Sequence, residues 1–229
     1  MNSATFRAST LLLAAAVAAP FASSTATPRS SPRTFRAAES ASRVQRSPSL
    51  DTVVFAGGCF WGVQAVFQHV KGVVSATSGY AGGTVANPDY ETVSSGRTGH
   101  AEVVRVVYDP SKVAYATLMR VFFTVVHDPT ELNRQGPDVG TQYRSAVFYT
   151  SEAQHQATQA FIAQLQRSSR KPIVTEVAPL KAFNVAEAYH QDYATLHPNQ
   201  PYIAYNDAPK VAALKEQFAS LWSDRLASH

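Results

Sequence analysis

From Asp51 onward, short β-branched runs alternate with stretches of helical period, and their order confines the fold more than any other feature of the chain. Thr52 to Ala56 (TVVFA) reads as a strand that stops at Gly57-Gly58. Trp61 to Val70 follows, with Trp61, Ala65, Val66 and Val70 on helical spacing. Val73 to Tyr80 is a second strand, Gly79 to Pro88 a glycine-rich loop, and Ala101 to Tyr108 (AEVVRVVY) a third strand ended by Asp109-Pro110. Tyr115 to Val126 predicts a helix closed by Asp128-Pro129, and Tyr143 to Tyr149 a further strand. Ser151, with Glu152 in the first turn, opens a helix through Gln166, and Lys171 to Leu180 supplies the last strand. The tail from Val185 mixes short helical pieces with Pro-rich coil. Strand, helix, two strands, helix, strand predicts an α+β sandwich of the ferredoxin-like split βαβ kind with an irregular C-terminal tail.

Charge is unevenly placed. The chain of 229 residues carries a formal net charge of +4, yet residues 1 to 50 hold six arginines, no lysine and one acid, Glu39. That leaves 14 basic and 15 acidic residues from Asp51 on, so the basicity belongs to the leader. Without a Lys/Arg-rich run in 51–229, the footprint of a phosphate-backbone binder is missing, and no nucleic-acid partner is expected. Arg7, the apolar run Leu11 to Ala19 and the small residues Ala22-Ser23-Ser24 follow the order of a secretory signal, with cleavage near Ser24 or Ala26. The run is shorter than the roughly 20 apolar residues needed to span a bilayer, so it predicts export to a periplasm or exterior and no membrane anchor. The Arg- and Ser-rich, acid-free first 38 residues also fit an organellar transit peptide. Residues 25–50, full of Ser, Arg and Pro, read as a disordered linker, and 51–229 as one domain expected to be monomeric.

The chain has one cysteine, Cys59, which rules out an internal disulfide, a multi-cysteine zinc site and a CxxC pair. A lone cysteine is more often a small buried hydrophobe than a reactive group. Local sequence argues otherwise here. Gly57-Gly58 place the thiol at the first turn of a predicted helix, where unpaired backbone N–H groups and the helix dipole favour an anion. Such cysteines can ionise well below the free value, and the thiolate is the reactive form. Phe60 and Trp61 add flat apolar surface beside the sulfur, though an isolated pair of this kind is as readily core.

Gly58-Cys59-Phe60-Trp61-Gly62 resembles the GCFWG signature of the peptide methionine sulfoxide reductase A family. In family order follow Gly79-Tyr80-Ala81-Gly82-Gly83, Asn87-Pro88-Asp89-Tyr90, Gly96-Arg97-Thr98-Gly99-His100-Ala101-Glu102, Gly140-Thr141-Gln142-Tyr143-Arg144-Ser145 and His190-Gln191-Asp192-Tyr193. The likeness covers about residues 51–205. It implies a reductase of the S epimer of methionine sulfoxide, free or in proteins, serving repair after oxidative damage. Cys59 is then the nucleophile, Glu102 the acid, and Tyr90 and Tyr143 the phenol donors to the sulfoxide oxygen. Phe60 and Trp61 hold the substrate methyl, and Asp138 supports the hydrogen-bond network. Taken one by one, without the flanking motifs, Glu102 reads first as a solvent-facing strand carboxylate and the tyrosines as half-buried core residues with their hydroxyls at the surface, and Gly136-Pro137-Asp138-Val139-Gly140 is also an ordinary turn signal.

Sulfoxide reduction needs a soft nucleophile, an acid for the departing oxygen and donors that polarise S=O. Burial in the apolar strand would keep Glu102 protonated near neutral pH. Many family members carry resolving cysteines near the C-terminus, and this chain has none. A sulfenic acid on Cys59 must therefore be cleared by external thiols, from a thioredoxin-like protein, a glutaredoxin/glutathione system or dithiothreitol, with no bound cofactor. Gln64, where some relatives are acidic, carries no mechanistic weight in this reading. His127, His155, His190 and His197 are wrongly spaced for a metal, and Glu187 with His190 makes too few ligands. His100, two residues from Glu102, reads as a surface imidazole or a supporting neighbour of that acid. Two other classes fit parts of the sequence: a different thiol enzyme, hydrolase or peroxidase, using Cys59, and a non-enzymatic module binding methionine-bearing segments through Phe60 and Trp61.

Overall fold

The computed structural model describes residues 49–229. The expected leader (1–24) and linker (25–50) lie outside the described residues, save for Ser49 and Leu50, which have no regular structure. The elements are β1 (Asp51–Gly57), α1 (Phe60–Gln68), β2 (Val73–Ala81), α2 (Tyr90–Ser94), β3 (Ala101–Tyr108) and α3 (Tyr115–Val121), the last running into a π-helical turn, Phe122–Val126. A short hairpin, β4 (Arg134–Gln135) with β5 (Asp138–Val139), and a 3-10 turn (Thr141–Tyr143) lead to β6 (Ser145–Tyr149) and α4 (Glu152–Ser168). The chain continues through β7 (Glu176–Pro179), β8 (Asn184–Val185), α5 (Tyr193–Leu196), a second π-helical turn (Ile203–Asp207) and α6 (Ala208–Gln217).

The main sheet has the order β7-β6-β1-β3-β2-β8. Its centre consists of two interlocked βαβ units. β1-α1-β2 is split by β3, and β3-α3-β6 is split by β1, with every central pair antiparallel. This is the split βαβ arrangement the element order predicts. α4 carries the chain across to β7, which extends the sheet in parallel to β6. Strand pleat sends Val53, Phe55, Ala76, Tyr80, Val104, Val106 and Val147 to the helix side, where they pack on Val63, Val66, Phe67, Leu118 and Phe122. The alternate residues Val54, Ala56, Val103, Ala146 and Phe148 form a thinner layer under Leu180 and Phe183. With both faces covered, β1 and β3 read as nearly continuous apolar runs. Glu102 shares its strand face with Val104 and Val106, and so points toward the start of α1.

Helix α1 is buried nearly all round, because the sheet takes one side and the C-terminal segment the other. Its polar residues are matched accordingly. Gln64 donates from Nε2 to Ala76 O and Gln191 Oε1, both at 2.9 Å, and its Oε1 accepts the Asp192 N–H at 2.9 Å. Gln68 donates to Asp192 Oδ1 at 2.6 Å. Gln64 is thus a clamp between α1 and the tail. Gly62, on the face turned to the tail, has no room for a side chain, since a Cβ there would collide with Asp207 Oδ1. Gly62→Ala is expected to lower stability by about 1–3 kcal/mol in urea unfolding, as overpacked sites do. An unchanged midpoint would contradict the close docking of the tail on α1.

Several boundaries depart from the sequence reading. The tail is less irregular than expected, because α6 is a regular helix of 10 residues with a proline in its first turn, where the missing N–H costs nothing. The helix expected over Tyr115 to Val126 turns π-helical after Val121, and the strand expected from Tyr143 starts at Ser145 after a 3-10 turn. The last strand is confined to Glu176–Pro179. In α2, Asp89 caps the helix in a reciprocal box with Thr92, a start signal that the surrounding glycine-rich loop obscured.

Candidate active site

Cys59 occupies the N-cap position of α1, without a side-chain capping hydrogen bond, and is 7% exposed. Gly58 ahead of it has φ +88°, and a Cβ there would stand 2.7 Å from Gln135 Cβ, so the turn that presents the sulfur requires glycine on two counts. The helix start leaves backbone donors open, and the first is taken by the site itself: Phe60 N–H donates to Glu102 Oε2 at 3.0 Å. The thiol and the carboxyl thereby share one helix terminus.

Their ionisation is set mainly by burial. Glu102, 2% exposed, is pushed up to about 8 by desolvation, with the Phe60 N–H acting against it and the charges of Asp138 and Asp207 adding to it. It is therefore mostly protonated at neutral pH. Cys59 departs from the expectation of an easily ionised thiol. Burial first, then the charges of Glu102 and Asp207, raise it well above the ordinary value, while the Trp61 backbone N–H and Lys210 pull it down. Desolvation outweighs the helix terminus because the sulfur is covered.

An aromatic wall surrounds the pair. Phe60 is fully buried against Tyr80 and His190, at ring distances of 5.8 and 5.0 Å. Trp61 stacks on Tyr193 at 4.0 Å, meets Tyr202 edge-on at 6.0 Å, and donates from Nε1 to His190 Nδ1 at 3.1 Å. Half-buried Tyr90, at the start of α2, lies 4.4 Å from the His190 ring. Tyr90 and Tyr143 are both raised, by burial first and then by the charge of Glu102. Asp138, on β5, accepts from the Tyr202 hydroxyl. Of the site residues expected from the sequence, Cys59, Phe60 and Glu102 meet at the start of α1, Trp61 and Tyr90 are joined to them through His190, Asp138 reaches Trp61 through Tyr202, and Tyr143 ends the 3-10 turn that packs against β3.

The structure adds residues that sequence reasoning passed over or used differently. His190 and Glu187, weighed there as metal ligands, serve the wall. His190 is 2% exposed, burial lowers its basicity, and it holds Trp61. Glu187 accepts the Tyr80 hydroxyl and the Tyr90 N–H, both at 2.8 Å. His100 does not support Glu102. Its Nδ1 accepts from Gly83 N–H at 3.2 Å and its Nε2 meets Val85 O at 2.9 Å, tying down the glycine-rich loop. Tyr193, Tyr202, Asp207 and Lys210 arrive from the tail, whose mixed polarity gave no periodic signal.

A family model described as peptide methionine sulfoxide reductase matches residues 51–222. The chain belongs to this family. Among relatives, it is 56% identical to peptide methionine sulfoxide reductase MsrA 2 of Mesorhizobium japonicum over 181 residues, which is 78% of this chain and 93% of that protein. It is 48% identical to the MsrA of Deinococcus radiodurans over 176 residues, 76% of this chain and 85% of the other. Among solved structures, methionine sulfoxide reductase A of Corynebacterium diphtheriae matches with a TM-score of 0.61 at 35% identity, over 68% of this chain and 78% of its own. The reduced form of Mxr1 from Saccharomyces cerevisiae matches at 0.62 and 34%, over 66% and 87%. Both solved structures match the α+β fold described above.

Proposed function

We propose that the protein reduces the S epimer of methionine sulfoxide, free or within oxidised proteins, and so repairs oxidative damage. The observation that carries this is the sharing of one helix terminus by a covered thiol and a largely protonated carboxyl, inside an aromatic wall. A sulfoxide is a neutral, polar S=O group bearing an apolar methyl. Phe60 and Trp61 suit the methyl, the Tyr90 and Tyr143 hydroxyls donate to the oxygen, and Asp138 with Tyr202 holds the surrounding hydrogen bonds.

Cys59 and Glu102 titrate as a pair. A single negative charge on the pair can sit on the carboxylate or on the sulfur. The reactive arrangement is thiolate with protonated Glu102. The Cys59 thiolate forms an S–S bond to the sulfoxide sulfur as Glu102 gives its proton to the oxygen and the S–O bond breaks. The released hydroxide then attacks the Cys59 sulfur, the S–S bond breaks with its electron pair returning to the substrate sulfur, and methionine leaves with Cys59 as the sulfenic acid and Glu102 as the carboxylate. With a single cysteine in the sequence, an external thiol then displaces water from the sulfenic acid, and a second thiol releases the mixed disulfide. A thioredoxin-like protein or a glutaredoxin/glutathione system fits this role in the cell, and dithiothreitol in the test tube. The leader favours action outside the cytoplasm, in a periplasm or the exterior, or in an organelle if it is a transit peptide, and one domain of this size favours a monomer. No helix among the described residues is long and apolar enough to cross a membrane.

The test uses separated S and R epimers of a methionine sulfoxide peptide, with dithiothreitol as sole donor. Loss of the S epimer with the R epimer untouched is expected. Persistence of both with well-folded protein would sink the reading.

A further inference from the structure

The tail side of the reaction centre holds a charge pair that sulfoxide chemistry as written above does not use. Asp207, which ends the second π-helical turn, is 0% exposed; its Oδ1 meets Lys210 Nζ at 3.1 Å, and its Oδ2 has no hydrogen-bond partner among the described residues. The same Oδ1 presses on the first turn of α1 at Gly62. Lys210 is 22% exposed and lines a cleft of about 320 Å³ with Asp138, Tyr202, His127 and Gln135, while Asp128 and Glu131 stand at the same cleft. A carboxylate sealed from water with one oxygen unsatisfied is a costly arrangement, worth keeping only where the charge is used.

The groups around the sulfur explain the use. Acids approach from every packed element: Glu102 from β3, Asp138 from β5 and Asp207 from the tail. The phenols Tyr90, Tyr143 and Tyr202 are held protonated, and burial keeps His127 and His190 neutral. Lys210 Nζ stands 3.1 Å from where a Cβ on Gly62 would sit, and Gly62 lies three residues along α1 from Cys59 on the same helix face, so the ammonium is held beside the sulfur's end of the helix, where its charge acts against those of Glu102 and Asp207.

We propose that Lys210, braced by Asp207 against the first turn of α1, is the counter-ion that lets Cys59 ionise in a covered, carboxylate-rich site. Both are positioning residues, since neither needs to touch substrate. Lys210 attracts the thiolate, and Asp207 sets how much of that attraction reaches it. Removing the cation and removing its brace therefore act in opposite directions, which loss of structure alone would not do.

The full chain is alkylated with iodoacetamide across a pH series, and Cys59 modification is followed by mass. Lys210→Met is expected to move the profile to higher pH and slow alkylation at pH 7 by about tenfold, the size of one lost, partly screened charge contact. Lys210→Arg restores the wild-type profile. Asp207→Asn, which keeps an oxygen for Lys210 but loses the competing charge, moves the profile to lower pH. Thermal melts establish that each variant is folded, and if Lys210→Met is not, the Arg and Asn variants decide the sign. Superimposable profiles for wild type and Lys210→Met, or no downward movement in Asp207→Asn, overturn the proposal. The proposal rests on the reductase reading for the reaction served, but alkylation needs no sulfoxide turnover, so failure of one is distinguishable from failure of the other.

Discussion

Cys59→Ser is expected to abolish sulfoxide reduction, by at least about 10⁴-fold, because a hydroxyl is neither soft enough to attack sulfur nor ionisable near neutral pH. Cys59 belongs to the buried core, but the substitution is nearly isosteric, so stability should fall by only about 1 kcal/mol. The wild-type protein adds a second reading of the same residue. Mixed with sulfoxide and no reductant, it should release one methionine per chain and gain the mass of one oxygen at Cys59. With no other cysteine in the sequence, that product cannot collapse into an internal disulfide. Residual turnover in the serine variant, or an internal cross-link in place of the added oxygen, would remove Cys59 from its role.

Glu102→Gln should lower turnover by about 10²–10³-fold, the range of a lost general acid. Glutamine keeps an acceptor for the Phe60 N–H, so the first turn of α1 stays in place. The pH profile carries the distinguishing sign. Since Glu102 sits at about 8 in the folded protein, wild-type turnover should fall as pH rises through that value, and the glutamine variant should lack that limb. Stability follows the same group. A carboxyl raised from 4.5 to about 8 on folding favours the native state fully below 4.5 and loses that advantage as pH climbs toward 8. Glu102→Gln should therefore gain on wild type in urea unfolding at pH 8 relative to pH 5. An alkaline limb retained by the variant, or no change in relative stability between those pH values, would show that another group is the acid.

The central strands were legible because each is a compact β-branched run stopped by Gly, Asp or Pro, and two covered sheet faces reinforce that signal. The nucleophile was legible because everything that presents it, Gly58 through Gly62, is contiguous. Residues of the tail were not. His190, Tyr202, Asp207 and Lys210 matter through docking against α1, a tertiary fact with no local period, and the buried Gln64 looks like any surface amide until Gln191 and Asp192 are beside it. Helix α6 was hidden because Pro209 reads as a breaker unless its first-turn position is known. The upward shift of Cys59 was missed for the same reason: helix position is written in sequence, and cover is not.

Besides Tyr90, Glu102, Asp138 and Tyr143 from the middle of the chain, the site is lined by an early stretch, Cys59 to Trp61, and a late one, Ala186 to Lys210, clamped to α1 through Gln64 and Gln68. A ribosome delivers these stretches more than a hundred residues apart. The elements that carry Cys59 and Glu102, α1 and β3, can form while the tail is still being made, leaving the thiol without His190 behind Trp61 or Lys210 as its counter-ion. A growing chain therefore holds its nucleophile uncovered and untuned, and becomes a working catalyst only when its closing segment has been translated and docked.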